Sequence, residues 1–169
     1  LESVAEKLIL SENGLNMSDF AYSPNVVDRT KFSLEDFFLY YPLRDMSWRK
    51  VPDQLDSSRF HPFSKALYAP SGSDRIIYSA EDAAGIRNLF VTELKDTVWT
   101  YPVMLNESLT SFSDEIYPML SPDGSKMYFS SAGLYGVGGY DIYVSERDEE
   151  TGDWAMPVNM GFPRMISFS

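Results

Sequence analysis

The sequence has no cysteine and a single histidine, His61. The first absence removes disulfides, thiolate nucleophiles and cysteine-based zinc sites together, and leaves the compartment open. The second leaves the usual nucleophile–base pairs without a base, and no G-x-S-x-G elbow occurs. Basic residues are scarce too: 14 stand against 25 acidic ones, for a net charge of −11 at pH 7. Phosphate backbones are recognised through Lys and Arg, so a nucleic-acid partner is not expected. No apolar run approaches the length of a membrane span. The chain opens at Leu1 without Met or a charged-then-apolar leader, as expected of a processed chain whose targeting signal lies outside it.

Aromatic residues and turn signals are abundant. The 11 Tyr, 11 Phe and 3 Trp favour strands over helices, and the length suits one core burying roughly 70% of the surface of the unfolded chain. Ser121-Pro122-Asp123-Gly124 puts Pro at the second position of a type I turn and Gly where a left-handed residue is needed. It separates two strand-like runs, Ile116–Leu120 and Lys126–Ser130. Strands at 141–145 and 154–158 complete a four-stranded unit. Four glycines between Gly133 and Gly139 lie inside it. They fail as a dinucleotide cradle, because Asp141 occupies the third glycine position and a strand follows instead of a helix. The cluster reads as a loop joining two strands.

The unit recurs upstream. Ala69-Pro70-Ser71-Gly72 precedes Arg75–Ser79, Gly85 and Asn88 precede Leu89–Thr92, and Trp99 and Pro102 follow. A half-unit carries Phe38–Tyr41, Asp45, Trp48 and Pro52. The three tryptophans fall about 50 residues apart, each with a proline three or four residues on, and four short strands at a period near 50 mark a propeller blade.

The stretch DEIYPMLSPDGSKMYFSSAGLYGVGGYDIYVSERD resembles the WD-like propeller repeat of TolB-type envelope proteins, most closely over 114–161. The likeness is weaker over 60–106, where Ser71 stands for the turn aspartate and Arg87-Asn88-Leu89-Phe90 for Tyr-Asp-Ile-Tyr. The expected fold is all-β: four-stranded antiparallel propeller blades, about two and a half of them in an incomplete ring. A partly helical N-terminal segment over 1–35 precedes a half blade at 36–56, blades at 60–109 and 112–161, and a non-blade tail at 164–169. That tail resembles no blade start and reads as a truncated or frame-altered end. Closing a ring calls for a longer parent chain or self-association; the alternative is an open stack. The resemblance implies an exported periplasmic or envelope protein without cofactor, metal or chemistry of its own, serving as a platform for a protein, peptide or glycan. Two alternatives are an accessory or gating propeller of a peptidase or glycan-processing enzyme whose catalytic domain lies elsewhere, and a structural spacer.

Partners of propellers meet loops at one end of the channel. The candidates there are Asp114, Glu115, Tyr140 and Asp141, with Ser64 and Lys65 at matching places in the earlier unit. Tyrosine offers a stacking surface, and carboxylates accept hydrogen bonds from hydroxyls or amides. Adjacent strand residues face opposite sides, so neither Asp114-Glu115 nor Glu81-Asp82 forms an acid–base dyad. The acidic run 146–153 lacks calcium-loop spacing and reads as a solvated hairpin loop. His61 reads as a packed or surface residue. Tyr128, Phe129, Tyr143 and Trp154 are expected to pack between blades. At the N-terminus, Val4, Leu8 and Ile9 recur at helical spacing and Asn13-Gly14 is the expected stop.

Overall fold

In a computed structural model, residues 2–18, 25, 27–31, 48–56, 59–63, 66–69, 72–136 and 138–161 are described. A helix, α1 (Glu2–Ser18), comes first, then β1 (Trp48–Lys50), a single helical turn α2 (Asp53–Asp56) and β2 (Ala66–Tyr68). There follow β3 (Arg75–Glu81), β4 (Arg87–Lys95), β5 (Val98–Trp99) and β6 (Val103–Met104), then β7 (Glu115–Leu120), β8 (Lys126–Ser131), β9 (Asp141–Glu146) and β10 (Val158–Asn159). Among the described residues, Phe38–Tyr41 and Asp45 of the expected half blade are not included, nor are Ser64, Lys65, Ser71 and the tail 164–169.

The last four strands form an antiparallel meander in the order β10-β9-β8-β7. The Ser121–Gly124 turn opens it: Gly124 N–H donates to Ser121 O at 2.9 Å. Gly124 has φ 72°, and Gly72 in the earlier turn has φ 78°, the left-handed region that glycine enters without a Cβ clash. Between the pairs Ile116–Ser130 and Met119–Tyr128 the ladder carries a bulge, with Tyr117 at φ 55°. The extra residue lets Glu115 and Leu120, five positions apart, face the same side. The fourth strand is shorter than the expected 154–158. Trp154 makes one bridge to Arg147, and pairing resumes only at Val158, because Pro157 between them has no N–H to give a ladder.

The earlier sheet also has four strands, in the order β3-β4-β5 with β6 on β4, but their identity differs from the unit expected over 60–109. The strand ahead of the turn, β2, pairs with β1 through Trp48–Tyr68 and not with β3. Phe63 stands beside β3 instead, its N–H donating to Ser79 O at 2.8 Å. A two-residue hairpin joins β4 to β5 through Asp96 and Thr97, both left-handed at φ 49° and 69°.

Alternation along β3 divides its side chains between two cores. Ile76, Tyr78 and Ala80, with Phe90 of β4, pack against Val51, Leu55, Leu67 and Ala69. Ile77 and Leu89 face the second sheet and meet Met127, Phe129, Tyr143 and Trp154. The first sheet is therefore buried on both faces. The second is not: Tyr128, expected between blades, points outward and is half-buried, and beside it Ile142 and Val158 are 58% and 64% exposed. The two sheets match in register, since Tyr78 pairs with Phe90 as Phe129 pairs with Tyr143. The outward face of the second sheet thus corresponds to the covered face of the first. No ring closes among the described residues.

The helix α1 runs through Asn13-Gly14, where a stop was expected. A glycine inside a helix costs only about 1 kcal/mol, and the buried Asn13 side chain is engaged elsewhere, donating to Gly136 O at 2.9 Å. Val4, Leu8 and Ile9 are exposed, so the apolar spacing there does not mark a core face. No described helix is long and apolar enough to cross a membrane.

Candidate binding face

Alternation fixes the fates of Asp114 and Glu115 at the start of β7. Glu115 is 0% exposed and lies beneath the face rather than on it. Its carboxylate accepts from Ser111 Oγ (2.6 Å) and Ser131 Oγ (2.9 Å), with a longer bond from Ser111 N–H. Burial pushes its carboxyl up; the serine donors pull it back without cancelling the shift. Gly133 makes this arrangement possible, since a Cβ there would overlap Ser111 Oγ and lie 2.9 Å from the Ser111 and Ser113 Cβ atoms.

Asp114 is at the surface and ties the two sheets together. Oδ1 accepts from Arg87 N–H at 3.0 Å, and Oδ2 accepts from Arg87 Nη1 at 2.8 Å and from the Tyr140 hydroxyl at 2.9 Å. Partial burial alone would raise its pKa; the Arg87 N–H, the tyrosine hydroxyl and the guanidinium outweigh it and leave the carboxyl below its ordinary value. Arg87 also reaches Glu81 at 3.6 Å and lies over the Phe63 ring, 4.2 Å from its centroid, a cation–π geometry. Phe63 in turn meets Tyr117 at 6.0 Å between centroids. The bulge re-aims Tyr117, and Phe63, Tyr117 and Tyr140 all stand about half exposed around the partly exposed Arg87–Asp114 ion pair.

Asp141 does not join this cluster. Its Oδ2 is 3.4 Å from Asn159 Nδ2, in a network where Asn159 also donates to Tyr135 O (2.9 Å) and to the Tyr143 hydroxyl (3.1 Å). Tyr143 donates to Tyr135 O, and burial pushes its hydroxyl up to about 12. This network braces the glycine loop, whose Gly136 leaves the space that Asp141 fills. Of the expected residues, Asp114 and Tyr140 come together, Glu115 and Asp141 serve the interior and the loop, and Ser64 and Lys65 lie outside the described residues.

Arg87, Phe63 and Tyr117 complete the face and were missed. The signal for Arg87 was present, because Arg87-Asn88-Leu89-Phe90 matches Tyr140-Asp141-Ile142-Tyr143 position for position. The two groups that hold Asp114 are thus equivalent residues of consecutive units. Pro118 behind Tyr117 was a bulge signal. Elsewhere, His61 is exposed, and the acidic loop closes on Asp148 Oδ1, which accepts from Glu150 N–H (2.9 Å) and Thr151 N–H (2.8 Å). Among the described residues no group of three His, Asp or Glu side chains converges on a metal-sized site. No protein-family model matches the chain, and no curated protein or solved structure matches it.

Proposed function

We propose that the two sheets are consecutive blades of a TolB-type propeller and that their shared end is a non-catalytic platform for a peptide, protein or glycan. The observation that carries this reading is Asp114, held by Arg87 of one sheet and Tyr140 of the next. A fixed charged centre ringed by half-exposed aromatic side chains suits a polar ligand with stackable faces. The matched register of the sheets and the apolar outer face of the second support the propeller. The resemblance of 114–161 to TolB-type repeats favours an exported, envelope-associated location.

The test is to probe peptide and glycan arrays with the purified chain and with a Tyr117→Ala, Tyr140→Ala variant. Both side chains are half exposed, so the variant is expected to stay folded, with a small fall in melting temperature from the lost Tyr140 bond to Asp114. Retention of a defined ligand by the parent and its loss in the variant is the expected result. A ligand held equally by both, or none on either array, sinks the reading.

A further inference from the structure

At the end of the sheets opposite Asp114, the turns at Gly72 and Gly124 enclose a cavity of about 320 Å³, within the size range of small-ligand sites. Arg75, Ile77, Leu120, Asp123, Arg147 and Trp154 line it. Its chemistry is unbalanced. Glu93, directly across the ladder from Arg75, is 3.3 Å from Lys95 Nζ and pairs there. Arg75 Nε is buried without an acceptor, and so is Nε1 of Trp154, a side chain only 4% exposed. Arg147 donates Nε to Gly152 O at 3.1 Å, and among the described residues it makes no ion pair. Burial lowers the pKa of Arg75 and the charge of Arg147 lowers it further, and the Glu93 carboxylate opposes them without restoring the ordinary value; both cations line the same cavity. The carboxylate on the rim does not relieve them: Asp123 Oδ1 is taken by its own turn, accepting from Ser121 Oγ, Ser125 N–H (3.1 Å) and Ser125 Oγ (2.8 Å).

A buried N–H left unpaired costs about 1–3 kcal/mol, and guanidinium forks match the geometry of carboxylate and phosphate oxygens. We infer that this cavity binds a small oxyanion, a carboxylate or phosphate group, between the guanidinium groups of Arg75 and Arg147, with the Trp154 indole in its wall. In a chain of net charge −11, general attraction does not draw anions to the surface, so binding here requires this local pair of cations.

The experiment is a nitrogen-15 NMR titration of the full chain at constant ionic strength, following the Trp154 indole and arginine Nε signals. Inorganic phosphate and N-acetylglycine serve as separate probes up to about 10 mM, the weak end of specific binding. Saturable shifts of the Trp154 signal with at least one probe are expected, and Arg147→Gln should weaken them about tenfold or more, as loss of a charge-assisted fork would. Saturation by phosphate alone assigns a phosphate ligand, by N-acetylglycine alone a carboxylate ligand, and by both the shared oxyanion chemistry. Arg147 is exposed, so this variant is expected to fold, whereas Arg75→Gln is the confirming change. Absence of a saturable shift with either probe, or equal affinity in Arg147→Gln, overturns the inference.

Discussion

Asp114 and Glu115 are chain neighbours with opposite electrostatics, and their titrations separate them. The folded pKa of Glu115 lies above its unfolded value. Between the two values the folded state binds the extra proton, so stability falls as pH rises through that window. Glu115→Gln keeps acceptors and donors for the serines and carries no charge. Its stability relative to the parent should therefore increase from about pH 4 to pH 7, spanning the carboxylate range, and urea unfolding across that range measures it. A pH-independent difference would contradict a strained carboxylate. Asp114 works the other way. Its folded pKa is depressed, so its contribution is present above the unfolded value and is lost as pH falls through the folded one. Asp114→Asn should be most costly at neutral pH and converge with the parent in acid. The repeat pointed to both Asp114 and Tyr140, which the fold brings within hydrogen-bond distance. Arg87 was hidden because it replaces the tyrosine that the pattern leads one to look for, although it does the same work from the other side.

Turns and strands were legible where they carried their usual residues. Ser121–Gly124 was readable because Pro and Gly sit where the backbone needs them, and the hairpin at Asp96-Thr97 was missed because neither residue is glycine. Thr97 is β-branched and left-handed, a conformation costing roughly 1–2 kcal/mol. Thr97→Gly should recover on the order of 1 kcal/mol, visible as a rise in the urea midpoint; a fall would mean that Thr97 makes a compensating contact. The partner of the strand ahead of Ala69 was not legible, because local pattern can mark a strand but not what it pairs with, and here β2 pairs with β1 rather than β3. In the better-patterned unit the core positions Phe129, Tyr143 and Trp154 were readable, and Tyr128 was not. Trp154→Ala should cost about 3–5 kcal/mol, the range for a truncated buried aromatic, whereas Trp99 is only partly buried against its core and should cost less. Gly133→Ala should cost about 1–3 kcal/mol by overpacking, with the Ser111–Glu115 bond as the first casualty.

At the scale of the molecule, sheet stacking was legible from period and composition, but the end of the stack was not. Sequence alternation cannot say whether an apolar face meets another sheet or solvent, and Ile142 and Val158 meet solvent here. Such a face favours association. Sedimentation of the chain should show concentration-dependent self-association that Ile142→Lys abolishes while leaving the melting temperature within about 2 °C, as for a surface change of a few tenths of a kcal/mol. A monomer at all concentrations would remove the second sheet's outer face from consideration as an interface. The bond from Asn13 to Gly136 has a consequence in time. It joins residues 123 apart in the chain, so it cannot form before the segments between them have brought its two ends together. Its acceptor exists only once β8 and β9 are joined and the glycine loop between them has set. The Asn13 contact is therefore expected to form after β8 and β9 have paired, and the amides of α1 are expected to exchange with solvent before those of β8 and β9.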